Sequence, residues 1–147
     1  MNGFQRIIVA VDLTEESVQV ARKARALAAS ASRLSLVHVT EPINSAYFDG
    51  SPYVSVAVNV GAFDEEIMRH KEEIMASLGN ELGVDTADRH VLRGKPAFEI
   101  KEFARQEQAD LIVIGTHGQK GLGLILGSTA SSVLHGAPCD VLAVRIN

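Results

Sequence analysis

The sequence predicts an α/β fold: a doubly wound, five-stranded parallel sheet with helices on both faces. Three observations carry that prediction. Residues 6–12 (RIIVAVD) and 111–114 (LIVI) are near-continuous apolar runs, the pattern of strands covered on both faces. Such runs alternate with amphipathic helical segments along the chain, as in βαβ units whose right-handed crossovers build a parallel sheet. The fourth run leads into GTHGQKGLGLILGSTASS, residues 115–132. Strand, glycine-rich loop and helix start follow one another there, at the carboxyl end of a strand, where open α/β sheets hold ligands.

Each element follows from local chemistry. The first strand covers residues 6–12. Thr14 is then a candidate N-cap, and Val18, Ala21, Ala24, Leu27, Ala28 and Ala31 recur at helical spacing in an alanine-rich segment. Residues 34–40 (LSLVHVT) form the second strand. Pro42, Gly50 and Pro52 mark residues 41–61 as a loop region. Within it Val54, Val56, Val58 and Val60 alternate with smaller residues, which fits either a short strand or an extended approach to the next helix.

Phe63, Ile67, Ile74, Met75, Leu78 and Leu82 mark a long amphipathic helix ending near Gly83. Residues 86–92 (TADRHVL) read as a third strand. Pro96 suits the first turn of a helix with Ala97, Ile100, Phe103 and Ala104 on its buried face. Residues 110–116 form the fourth strand. A helix from near Gly127 turns Ala130, Val133 and Leu134 inward and stops at residues 136–138 (GAP). Residues 139–146 form the fifth strand, an apolar sheet edge of the kind that pairs with another chain.

Composition narrows the function. One domain over residues 1–147 is expected from the length, and 46% hydrophobic with 22% charged residues is ordinary for a globular protein. A net charge of -4 argues against nucleic acid or an anionic membrane as the partner. MNGFQRIIVAVD lacks signal-peptide anatomy, and no apolar run approaches the roughly 18 residues of a membrane span. The single cysteine, Cys139, excludes an internal disulfide and fits a reducing cytoplasm. It reads as a small buried residue at a strand start. Five histidines and one cysteine show no metal-ligand spacing.

The glycine segment is the candidate site. Gly115, Gly118, Gly121, Gly123 and Gly127 let backbone amides approach an anion, and the amides of the helix that follows point at it. Ser128 can cap that helix, with Thr129 beside it. The bland alternative, glycines serving only tight turns, is disfavoured by their number and their place before a helix. Asp12-Leu-Thr14 after the first strand is the second candidate loop. If strands one and four are neighbours, the two loops face each other across one crevice. No Gly-Lys-Ser of a P-loop occurs. His117 lacks a partner carboxylate at a telling spacing, so no catalytic residue is assigned. Lys120 is the nearest cation to the proposed anion site, and His38 reads as a histidine packed on a strand.

Four segments carry a family resemblance: IIVAVDLTEES, LSLVHV, ADLIVIGTHG and LGSTASSVLHGAPCDVLAVR. Through them the chain resembles the universal stress protein family over essentially its whole length. The resemblance implies a Rossmann-like sheet of strand order 3-2-1-4-5, which sets strands one and four side by side. Many members bind ATP, with Mg²⁺, through Gly, two residues, Gly, nine residues, Gly and Ser or Thr. Carried over by position, this places Asp12 near adenine and ribose, the backbone of Val39 at the adenine edge, and Gly115, Gly118, Gly127, Ser128 and Thr129 around the phosphates. The chain departs from the pattern in one respect: only eight residues, Gln119 to Leu126, separate Gly118 from Gly127.

Two functional classes follow. One is a cytoplasmic, homodimeric stress-response module that binds ATP or another adenine nucleotide, dimerising through the last strand. The other is a stress-response interaction protein without nucleotide, acting through its surfaces, as the short spacing would suit. A dedicated enzyme ranks third, because no triad, carboxylate pair or metal set is visible, and slow ATP hydrolysis at most would be compatible with the first class.

Overall fold

The structure, a computed structural model, describes residues 3–42, 60–116 and 126–146. The elements are β1 (Phe4–Ala10), α1 (Ser17–Ala26), β2 (Ala28–Thr40), α2 (Val60–Leu82), a 3₁₀ turn (Thr86–Asp88), β3 (Arg89–Arg93), α3 (Pro96–Gln106), β4 (Leu111–Gly115), α4 (Ser128–Leu134) and β5 (Asp140–Val144). All strand pairs are parallel, in the order β3-β2-β1-β4-β5, the order the resemblance implied.

The apolar runs are explained by two cores. Side chains alternate across a strand, so Ile7, Val9 and Val11 pack under α1 and α2 with Val20, Ala24, Met75 and Leu78. Ile8 and Ala10 pack under α3 and α4 with Ile100, Ala104, Ala130 and Val133. Val9, Ile112 and Val113 are fully buried, and each such side chain stabilises the fold by about 1.5–3 kcal/mol relative to exposure. Asp110 sets β1 beside β4: its carboxylate accepts the amides of Gln5 at 2.8 Å and Arg6 at 2.9 Å. Lys101 on α3 donates to the carbonyls of Ser132 at 3.1 Å and His135 at 2.9 Å, which caps α4 and holds it against α3.

Several local expectations are corrected. The helical stripe does not run to Ala31. α1 ends at Ala26, and β2 already begins at Ala28, because the amide of Phe4 takes the carbonyl of Leu27 at 3.1 Å and Phe4 pairs with Ala28. Strand pairing there overrides alanine's helix preference. The third strand starts at Arg89, after a 3₁₀ turn over the polar Thr86–Asp88. Phe63 is 54% exposed: of the 23 residues of α2, it is Met75, Leu78 and Leu82, late in the helix, that pack on the core. Leu134, at the end of α4, is 44% exposed where Ala130 and Val133 are buried. Cys139 is half-buried, and burial pushes its thiol pKa up. The alternating valines at 54–58 lie outside the described residues, and Val60 opens α2.

Candidate functional site

A crevice of about 300 Å³ opens at the carboxyl ends of β1, β2 and β4, a volume at the small end of ligand pockets. Its position follows from topology. The chain leaves β1 toward β2 and leaves β4 toward β5, in opposite directions along the sheet. The crossovers therefore diverge and leave a gap between two adjacent strand ends.

One wall is the turn after β1. Oδ1 of Asp12 accepts three hydrogen bonds: from the Thr14 amide at 3.0 Å, the Thr14 hydroxyl at 2.6 Å and the Ser17 hydroxyl at 3.0 Å. Ser17 is fully buried, so this carboxylate satisfies a hydroxyl that has no access to water. The bonds span Leu13, which sits at φ 64°, a left-handed conformation that costs a residue with Cβ about 1–2 kcal/mol. Thr14 therefore does not act as the N-cap. Its hydroxyl serves Asp12, its carbonyl accepts the Ser17 amide at 3.0 Å, and Glu16 holds the cap position.

The facing wall is built on Thr116. Its amide donates to Val144, its hydroxyl accepts the Ile146 amide at 3.5 Å, and its carbonyl accepts the Gly127 amide. Both ends of the glycine segment thus meet at one residue. Gly127 is the N-cap of α4, so Ser128 is its first helical residue and does not cap it. The carbonyl of Gly127 accepts the Ser131 amide at 2.9 Å as the first helical bond, and the amides just before Ser131 have no intrahelical acceptor. A Cβ on Gly115 would touch Ile146 and Val20 at 3.4 Å, so Gly115 packs closely against the residues following β5.

The floor holds His38. Its Nδ1 is 2.8 Å from the carbonyl of Val11. A carbonyl only accepts, so Nδ1 carries the proton and the neutral ring leaves Nε2 bare. Burial holds the His38 pKa below its ordinary value near 6.5; Lys71 lowers it further, while the Val11 bond and Asp12 oppose the shift. Val37, Val39, Ile100 and Ile114, which pack in one cluster, form an apolar part of the lining, and Asp12, Thr116, Ser128 and Thr129 are among its polar residues. The described lining contains two carboxylates, Asp12 and Glu16, and no lysine or arginine. Among the described residues no group of three or more His, Cys, Asp or Glu could hold a metal ion.

The structure therefore gathers Asp12, Val39, Gly115, Gly127, Ser128 and Thr129 around one crevice. Gly118, with His117 and Lys120, lies outside the described residues. Sequence reasoning missed Ser17, His38, Thr116 and Ile146 as site residues. Only His38 carried a signal, as the one ionisable side chain within the apolar second strand.

A sequence model described as the universal stress protein family matches residues 3–145. The chain is 36% identical to universal stress protein A homolog 2 of Coxiella burnetii, over 99% of this chain and 98% of that one. It superposes with a TM-score of 0.76 on a universal stress protein UspA from Lactobacillus plantarum, at 22% identity, covering 99% of this chain and all of that one. A crystal structure of a universal stress protein in complex with cAMP gives a TM-score of 0.64 at 20% identity, with 98% of each chain covered. Among the described residues no helix is long and apolar enough to cross a membrane.

Proposed function

The chain belongs to the universal stress protein family, and from that premise we propose that it binds an adenine nucleotide, ATP foremost, in the crevice between the loops after β1 and β4. The observation that carries this reading is the crevice itself, which brings six sequence-assigned residues from four separate stretches to one cavity. The base would lie against Val37, Val39, Ile100 and Ile114. Asp12, through the oxygen not engaged by Thr14 and Ser17, would accept from the ribose. The amides and hydroxyls of Ser128 and Thr129, with Gly115, Gly118 and Gly127, would hold the phosphates, helped by Mg²⁺ and by Lys120. The cAMP complex of a protein with this fold supports an adenine nucleotide as the ligand class.

In this reading the protein is a cytoplasmic stress-response module that works by binding and not by turnover. It forms a homodimer through β5, the sheet edge. A second reading, a stress-response interaction protein without nucleotide, draws on the eight-residue spacing between Gly118 and Gly127 and on the absence of lysine and arginine from the described lining. The discriminating test is nucleotide content. Acid extraction of freshly purified protein should release adenine nucleotide in an amount comparable to the protein. An empty extract, with no rise in melting temperature on adding ATP, ADP or cAMP, would leave the second reading standing.

A further inference from the structure

The β1–β2 ladder stops short at the crevice. Regular pairing ends at Ala10 opposite Val37, and one further bond runs from the Val11 amide to the Val37 carbonyl at 2.9 Å. In a parallel ladder the next rung would join the Val39 amide to the Val11 carbonyl. That rung is not formed. The Val11 carbonyl is held instead by a side chain from the neighbouring strand, His38, whose Nδ1–H donates to it at 2.8 Å. Amide and carbonyl of one strand residue share a side, so both polar groups of Val39 face the place where β1 has ended. Val39 itself lines the crevice there.

We propose that His38 is the positioning residue of this site: by taking the Val11 carbonyl it ends the β1–β2 ladder, sets the Val11–Asp12 peptide, and leaves the backbone edge of Val39 open to the ligand. The ligand would then complete the ladder with its own donor and acceptor, as an adenine ring edge can. For ligand identity the proposal rests on the nucleotide reading above. His38 acts through Val11 and Asp12, so the part that matters is the Nδ1–H donor. Its protonated and its present neutral form both carry that donor. The same peptide leads directly into Asp12, whose carboxylate organises the turn. One imidazole thus fixes both the open edge and the first wall.

Three variants separate the possibilities. In His38→Asn the side-chain amide nitrogen occupies the place of Nδ1 and can still donate to Val11. In His38→Gln it occupies the place of Nε2. His38→Leu keeps bulk and removes both. Affinity for ATP is measured by calorimetry in the full chain, beside far-ultraviolet circular dichroism and melting temperature. The expected result is a loss of at least about tenfold in His38→Leu and His38→Gln, the scale of one misplaced hydrogen-bonding group, with His38→Asn within about threefold of the wild type. Wild-type affinity in His38→Leu would overturn the proposal. So would loss in His38→Asn with retention in His38→Gln, which would mean that Nε2 touches the ligand directly. If His38→Leu does not fold, the Asn and Gln pair decides. A wild type that binds no nucleotide defeats the nucleotide reading separately. Ring ¹⁵N shifts of His38 then decide the placement, with the Nδ1–H tautomer supporting it and the Nε2–H tautomer overturning it.

Discussion

The amide of Gly127 donates to the carbonyl of Thr116, so the segment between them departs from and returns to one point at the crevice mouth. The span of that loop is set by this contact and not by the number of residues within it. A spacing one residue shorter than the family's nucleotide pattern therefore need not displace Ser128 and Thr129.

Inserting one alanine between Gly118 and Gly127 tests that relationship. One added residue changes loop-closure entropy by only about 0.1 kcal/mol on the logarithmic scaling with length. The melting temperature should stay within about 2 °C, since 1 kcal/mol moves a chain of this size by about 2–4 °C. ATP affinity, read by calorimetry, should change by less than about threefold. A gain of a hundredfold would show that the native spacing disables the site.

Asp12 is predicted to matter for stability apart from any ligand. Asp12→Ala strands the buried Ser17 hydroxyl and releases the turn at Leu13. A buried polar group left without a partner costs about 1–3 kcal/mol, and urea denaturation should show a loss of that size. Asp12→Asn keeps an oxygen at the Oδ1 position and should lose less than about 1 kcal/mol. Equal losses in the two variants would contradict the role assigned to Oδ1.

Much of this fold was legible because the strands are buried on both faces. Residues 6–12 and 111–114 could be read as central strands since no alternation interrupts them, and Pro96 did mark the start of α3. The end of α1 was not legible. Ala28 and Ala31 have strong helix preference, and only the distant Phe4, pairing at Leu27 and Ala28, turns them into β2. The glycine segment pointed by composition to the crevice that Gly115 and Gly127 line. Ser17 did not, because its importance lies in a buried hydroxyl meeting Asp12 across a turn. Thr116 joins the β5 exit to the glycine loop through bonds that no spacing in the chain encodes.

Acidification should weaken the fold through histidine. Burial holds His38 and His90 below the ordinary histidine range. For His90, Glu107 and Asp88 push against the shift, and Arg33 adds to it. An unfolded histidine, with a pKa near 6.5, binds a proton that these folded ones refuse. Protons therefore favour the unfolded state once the pH drops below about 6.5. Stability should be level between pH 7 and 8, decline as the pH falls from about 6.5, and stop declining on this account below the folded values. Urea midpoints across pH 5–8 would check it, and His38→Asn should flatten part of the slope. A midpoint that rises toward pH 5 would contradict the sign.

The sheet edge carries a prediction about assembly. The Thr116 amide bonds to the Val144 carbonyl, so Val144 points its backbone at β4, and alternation turns the backbone of Ala143 outward. Proline at an edge position removes an outward donor without breaking the ladder inside. Ala143→Pro should therefore convert a dimer into a folded monomer in sedimentation velocity. A dimer that survives the change would place the interface elsewhere.

On the proposed reading, the crevice between the loops after β1 and β4 takes an adenine nucleotide. Calorimetric titration of nucleotide-stripped protein with ATP and Mg²⁺, beside Gly127→Val, tests it most directly. Gly127 has φ -59° and ψ 155°, a conformation open to any residue, so valine keeps the fold at a cap cost of about 1 kcal/mol while filling the crevice mouth. The predicted result is saturable binding at micromolar concentration in the wild type, near one nucleotide per chain, and none in Gly127→Val. A flat wild-type titration, or equal affinity in the two proteins, would contradict it.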